Sequence, residues 1–216
     1  MGLSIHVMPL WKFWAGQVPD TVIAGMKAVV VRRVPLDADV DAARLEERKL
    51  MEFLQRRDAR LGWSQKDEVV FSRRFPSYDM LHALRAFAAH QTFPTRRWFR
   101  PQPFQPVADW SRHPALLRLR APGDYAHRHL IFHAPNGGWY LPAEFSDPFE
   151  LASDANQEGI SVGSAERLCV ELRVLERATR QVAEADLRSA LAAAVEFLLT
   201  AASASVEHRL PMIYDG

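Results

Sequence analysis

The sequence predicts an α+β fold: a mixed or antiparallel sheet that includes a hairpin at about 127–146, packed against several helices within a single domain, 1–216. Three observations carry this. Short β-branched runs and long amphipathic stretches both occur, but never in a repeating strand–helix–strand order, which argues against a doubly wound sheet. No self-similar period runs through the chain. Between two alternating runs sits Pro135-Asn136-Gly137-Gly138, the clearest hairpin signal present.

Taken in order, residues 3–8 and 28–34 are short and β-branched, so each reads as a strand. Asp37 to Asp41 offers N-caps for a helix over roughly 40–61, whose apolar positions Leu50, Phe53, Leu54 and Leu61 recur at three- and four-residue steps before Gly62. Val69 to Phe71 reads as a short strand. A second helix enters at Pro76-Ser77-Tyr78-Asp79 and carries Met80, Leu81, Leu84, Phe87 and Ala88. Five prolines between Thr92 and Pro114 predict a long ordered loop, because proline lacks the donor that helices and central strands need. Leu116 to Ala121 alternates and reads as a strand. Ser164 caps a helix with Leu168, Leu172, Leu175 and Ala178 on one face, and Asp186 caps a last helix over roughly 187–207.

Composition excludes several classes. With 216 residues, 48% of them hydrophobic and 25% charged, the chain is neither disordered nor fibrous. Its net charge of +1 gives no overall bias toward nucleic acid or anionic lipid. The charge is uneven, however. Residues 90–130 hold seven arginines against Asp109 and Asp124, while 144–216 hold six arginines against 13 acids, so the two regions are expected to attract each other. The lone Cys169 cannot form an intramolecular disulfide, and Ala190 to Ala204, broken by Glu196, is too short to span a bilayer. With no secretory or lipidation signal at the start, the expectation is a cytoplasmic protein without a membrane partner.

The hairpin supplies the sharpest chemical reading. In the strand from His127 to His133, alternation puts His127, His129, Ile131 and His133 on one face. A four-residue loop pairs Ala134 with Trp139, sets His129 opposite Glu144, and gathers Leu130, Phe132, Trp139, Leu141 and Phe145 on the other face. His129 and Glu144 would then be neighbours, and the carboxylate would raise the imidazole's proton affinity. His127, His129, His133 and Glu144 also have the donor types of a divalent transition-metal site, with a distant residue such as His113 able to complete the shell. Histidines two apart on a strand project ~6–7 Å apart, so they cannot all reach one ion unaided. The competing reading is a solvated polar face.

Other candidates have simpler alternatives. Ser164 after Gly163 could hold an anion at a helix start but serves equally as a plain N-cap. Gly159-Ile160-Ser161-Val162-Gly163 matches the letters of a nucleophile elbow without its strand-then-helix context. Asp79, His82 and His90 share a helix, where histidines beside leucines are usually structural. Arg96-Arg97-Trp98-Phe99-Arg100 has the residue types that contact phosphates and stack bases, yet it can pair with the chain's own acidic part.

The runs His129-Leu-Ile-Phe-His133 and Trp139-Tyr-Leu-Pro-Ala-Glu-Phe145, Gly163-Ser164 before a leucine-rich helix to about 175, and the tail Glu207 to Gly216 are together similar to a group of uncharacterised bacterial proteins. That resemblance transfers no activity. In the absence of a cofactor or nucleophile motif, the sequence points to a non-enzymatic accessory module, immunity-like or regulatory, with another protein as partner, no nucleic acid and no cofactor. The alternative is a metal-dependent hydrolase or metal-binding protein using His129, His133 and Glu144.

Overall fold

A computed structural model describes residues 2–18, 39–92, 96–97, 100–101, 103–119, 125–151 and 159–216. Among them, a six-stranded mixed sheet has the order β2-β1-β8-β5-β7-β6, with β1 Ser4–Val7, β2 Phe71–Arg74, β5 Gly137–Leu141, β6 Phe149–Leu151, β7 Ile160–Ser164 and β8 Met212–Asp215. β3 Arg96–Arg97 and β4 Arg100–Pro101 form a separate two-stranded ladder. The helices are α1 Leu10–Trp14, α2 Val40–Arg57, α3 Tyr78–Thr92, α4 Pro114–Leu117, α5 Arg128–Phe132, α6 Ala165–Thr179 and α7 Ala185–His208. The α+β expectation holds.

The sheet's two-residue period divides the core. Leu3, Ile5, Val7, Tyr140, Met212 and Tyr214 face α3, α5, α6 and α7. Met8, Trp139, Leu141, Val162 and Ile213 face the other way, onto Leu10 of α1 and Leu54 of α2. α7 is long and apolar enough to cross a bilayer by length and composition. Its Leu187, Leu191, Val195 and Leu198 are instead core residues on the α3 and α6 side.

Several expected elements stand where the sequence places them. β1 lies within 3–8, α2 starts at its Asp39 cap, and α3 follows Pro76. Ser164 caps α6 by accepting the Arg167 amide at 3.1 Å. The expected strand 28–34 lies outside the described residues. Leu116 to Ala121 is not a strand at its start: Pro114–Leu117 makes one helical turn, capped by His113.

The principal correction concerns the hairpin. Residues 128–132 are helical, and β5 pairs with β7 in parallel and β8 antiparallel, never with 127–133. The turn at Pro135-Asn136 exists, but it joins α5 to β5. Gly138 permits this geometry because its φ is +113°, and a Cβ there would lie 2.4 Å from the Ser161 carbonyl. The tail is a central strand, since β8 sits between β1 and β5.

Candidate functional site

Of the residues singled out for metal chemistry, His127, His129 and His133 lie on or beside α5 as buried structural groups, while Glu144 is exposed. Ser164 donates its amide to His129 Nδ1 at 2.9 Å. The opposite nitrogen, Nε2, donates to the carbonyls of Phe145 at 3.1 Å and Ser146 at 3.3 Å. A neutral ring meets both demands, and burial holds the His129 pKa down at about 4. The His129–Glu144 pair is therefore absent, and the expected rise in proton affinity is reversed. Glu144 instead pairs with Arg167 at 2.8 Å on the surface.

His133 is wholly buried and stacks on Tyr140 with 4.0 Å between ring centroids. Its nitrogens lie 2.9 Å from the Ala134 carbonyl and 3.1 Å from that of Trp139. Desolvation holds its pKa at about 4, so the neutral ring donates to one of them. His127, at the N-cap of α5, is also buried, has a pKa of about 4 for the same reason, and leaves Nδ1 without a partner. No group of three His, Cys, Asp or Glu side chains that could hold a metal occurs among the described residues.

The other sequence candidates are likewise absorbed. His113 Nδ1 accepts the Ala115 amide, remote from α5's histidines along the chain. Ser161 accepts the Ala134 amide at 3.1 Å, and both His133 nitrogens face carbonyls, so this ring does not serve it as a base. His90 is buried beside Phe104. Of Arg96, Arg97 and Arg100 only the backbone ladder is described, and Trp98 and Phe99 lie outside the described residues.

Two buried glutamates that the sequence reading passed over organise the short helices. Glu171 on α6 accepts the His129 amide on Oε1 and the Leu130 amide on Oε2, both at 2.9 Å. Burial raises its pKa to about 7. Glu47 on α2 accepts the Leu10 amide at 2.9 Å and the Trp63 indole N–H at 2.8 Å, and burial raises its pKa too. The signal was available: Glu171 interrupts the 168, 172, 175 apolar stripe, and Glu47 lies on the stripe that continues through 50, 51 and 54.

What the molecule offers outward is charge. Residues 144–166 contain six acids, Glu144, Asp147, Glu150, Asp154, Glu158 and Glu166, and no lysine or arginine. This stretch includes β6, an edge strand of the sheet. Glu144, Asp147 and Glu150 are exposed. Arg167 and Arg128 hold Glu144 and Asp147 respectively, the second pair joining the basic and acidic regions as expected. Between these two guanidinium–carboxylate pairs lies a cleft of about 240 Å³ lined by Arg128, Ser146, Arg167 and Val170, among others.

No curated protein and no solved structure matches the chain. One family does, described as "putative DNA-mimic protein", over residues 1–214. This overturns the expected immunity-like or regulatory accessory module and its metal-dependent alternative, since a DNA mimic works by offering acidic groups where phosphates would lie. The expected partner, an unspecified protein with nucleic acid set aside, is overturned with it. Matched along almost its entire length, the chain belongs to this DNA-mimic family.

Proposed function

We propose that this protein occupies the DNA-contacting surface of a DNA-binding protein, using the acidic stretch 144–166 as its phosphate-like face. Family membership is the observation that carries this reading; the lysine- and arginine-free stretch supports placing the mimicry there. A carboxylate and a phosphodiester each bring one negative charge and oxygens that accept paired N–H groups from arginine. A net charge of +1 argues against a mimic that is anionic all round. Of the acids in this stretch, Glu144, Asp147 and Glu150 are exposed on or beside the edge strand β6, and these carboxylates stand in for a short run of phosphates. Binding through such a face weakens steeply with salt.

The experiment is capture on the immobilised full chain from an extract of the source cells, with elution by duplex DNA. Captured proteins that bind DNA, are released by duplex, and are lost with the variant E144Q/D147N/E150Q support the reading. Captured proteins that resist excess duplex, or a mobility shift showing that this chain itself binds duplex DNA, overturn it.

A further inference from the structure

Toward the opposite edge of the sheet from β6, three strands bring a hydroxyl, an imidazole and a carboxylate together, and the proposed mimicry makes no use of them. His6 on β1 pairs with Ser72 on β2 and with Ile213 on β8, and Asp215 lies two residues beyond Ile213. Side chains two apart along a strand share a face, so Ser72, His6 and Asp215 all project from the α1 side of the sheet. Phe13 of α1 approaches the His6 ring there, with 6.4 Å between centroids. Phe75 donates its amide to the Leu3 carbonyl at 2.8 Å, which makes these two a hydrogen-bonded pair. Bonded and non-bonded pairs alternate along an antiparallel ladder, so His6 and Ser72 are a non-bonded pair, the kind whose side chains stand closest.

His6 Nδ1 lies 2.9 Å from Ser72 Oγ. Its Nε2 lies 3.6 Å from Asp215 Oδ2 and has no closer partner among the described residues. The ring is wholly buried, the Asp215 side chain is 11% exposed, and Ser72 is half-buried. A nitrogen lone pair aimed at a carboxylate would be repelled, so His6 carries its proton on Nε2 and accepts the Ser72 hydroxyl proton on Nδ1. A separation of 3.6 Å is long for a hydrogen bond, as such bonds often are before a substrate is present. Nucleophile, base and orienting acid thus stand in sequence. Among the described residues β2 is an edge strand, and in a non-bonded pair the Ser72 N–H points away from β1 toward that edge. This N–H is placed to take charge developing on a carbonyl oxygen whose carbon Oγ attacks.

We propose that Ser72, His6 and Asp215 form a nucleophilic site for small carboxylic esters, separate from the acidic face. Ser72 Oγ bonds to the ester carbonyl carbon while its proton passes to His6 Nδ1. Asp215 is a positioning residue, which holds Nε2–H and stabilises the imidazolium. The ester C–O bond then breaks, and Nδ1 gives the proton to the leaving alkoxide oxygen. Water, passing a proton to the same nitrogen, attacks the acyl-serine carbonyl. The bond to Oγ breaks, the carboxylic acid leaves, and the proton returns to Ser72.

The test treats the full chain with two probes: a fluorophosphonate, whose fluoride an activated serine displaces, and p-nitrophenyl acetate. The expected result is an adduct mapped to Ser72 by mass spectrometry, together with p-nitrophenolate release above that of S72A. S72A removes only a half-buried hydroxyl near a sheet edge, so it should fold. H6Q and D215N, each checked for folding by circular dichroism, should lower the labelling rate at least about tenfold. Should H6Q fail to fold, D215N, which keeps the side chain's shape, decides. Because Asp215 faces the imidazole and not the ester, D215N should lower kcat and leave KM unchanged. The proposal is overturned by a wild type without an adduct on Ser72, or by ester hydrolysis no faster than in S72A. It is equally overturned if folded D215N is labelled less than about tenfold more slowly than the wild type, or if its effect is confined to KM.

Discussion

Three neutral histidines packed around one five-residue helix make this fold sensitive to acid. His127, His129 and His133 have ordinary values of 6.5 and are held at about 4 by burial. A depressed histidine binds fewer protons folded than unfolded, so its contribution is complete above pH 6.5 and is lost as pH falls toward 4. Between pH 7.5 and 5 each loses about 2 kcal/mol by linkage, about 6 kcal/mol for the three. Glu171 works in the opposite sense, because its pKa rises from 4.5 to about 7. The folded state binds its proton more readily, and acidification over the same range returns about 2 kcal/mol. The net loss of about 4 kcal/mol is a large part of the stability of an ordinary domain. Urea unfolding followed by the fluorescence of the six tryptophans should show a midpoint roughly 1.5 M lower at pH 5 than at pH 7.5. His127→Phe, which keeps a ring but cannot titrate, should shrink that loss by about 2 kcal/mol. A midpoint that stays put or climbs on acidification would refute the reasoning, because it would require these rings to be protonated or solvated in the folded state.

Three further outcomes follow from the same contacts. Glu171→Gln keeps the shape but offers one carbonyl where two amides need acceptors, and should cost about 1–3 kcal/mol in chemical denaturation at pH 7.5. Gly138→Ala forces a side chain onto a backbone at φ +113° and into the Ser161 carbonyl; a loss of at least about 2 kcal/mol in thermal or urea unfolding is expected. The variant E144Q/D147N/E150Q, used above to remove the acidic face, should leave stability within about 1 kcal/mol of the wild type, because Glu144 and Asp147 lie in exposed ion pairs. Circular dichroism during urea titration checks this and makes any loss of partner capture attributable to charge.

Much of the fold was legible from local signals. α2, α3 and α6 declare themselves through caps and apolar stripes, because a helix of fifteen or more residues repeats its pattern often enough to be read. β1 is legible through branched residues. The acidic excess of 144–216 was equally open to counting, and its concentration in 144–166, free of lysine and arginine, lies in the same sequence. That charge pattern, β1 and the long helices are determined by sequence alone.

Tertiary structure decided the rest, and α5 shows why. The alternation from His127 to His133 fits a strand, and five residues are too few to sustain a helix in isolation. The segment is helical because distant groups satisfy its backbone: Glu171 takes the amides of His129 and Leu130, Arg85 takes the Ile131 carbonyl, and Tyr140 donates to the His129 carbonyl. These partners lie between 11 and 46 residues away in sequence, beyond any local pattern. The same distance hid the role of the tail, whose four residues become a strand only because β1 and β5 flank them. Whether the imidazoles would gather as ligands or be buried as neutral packing depended on which backbone groups met them, and only the folded chain brings those groups together.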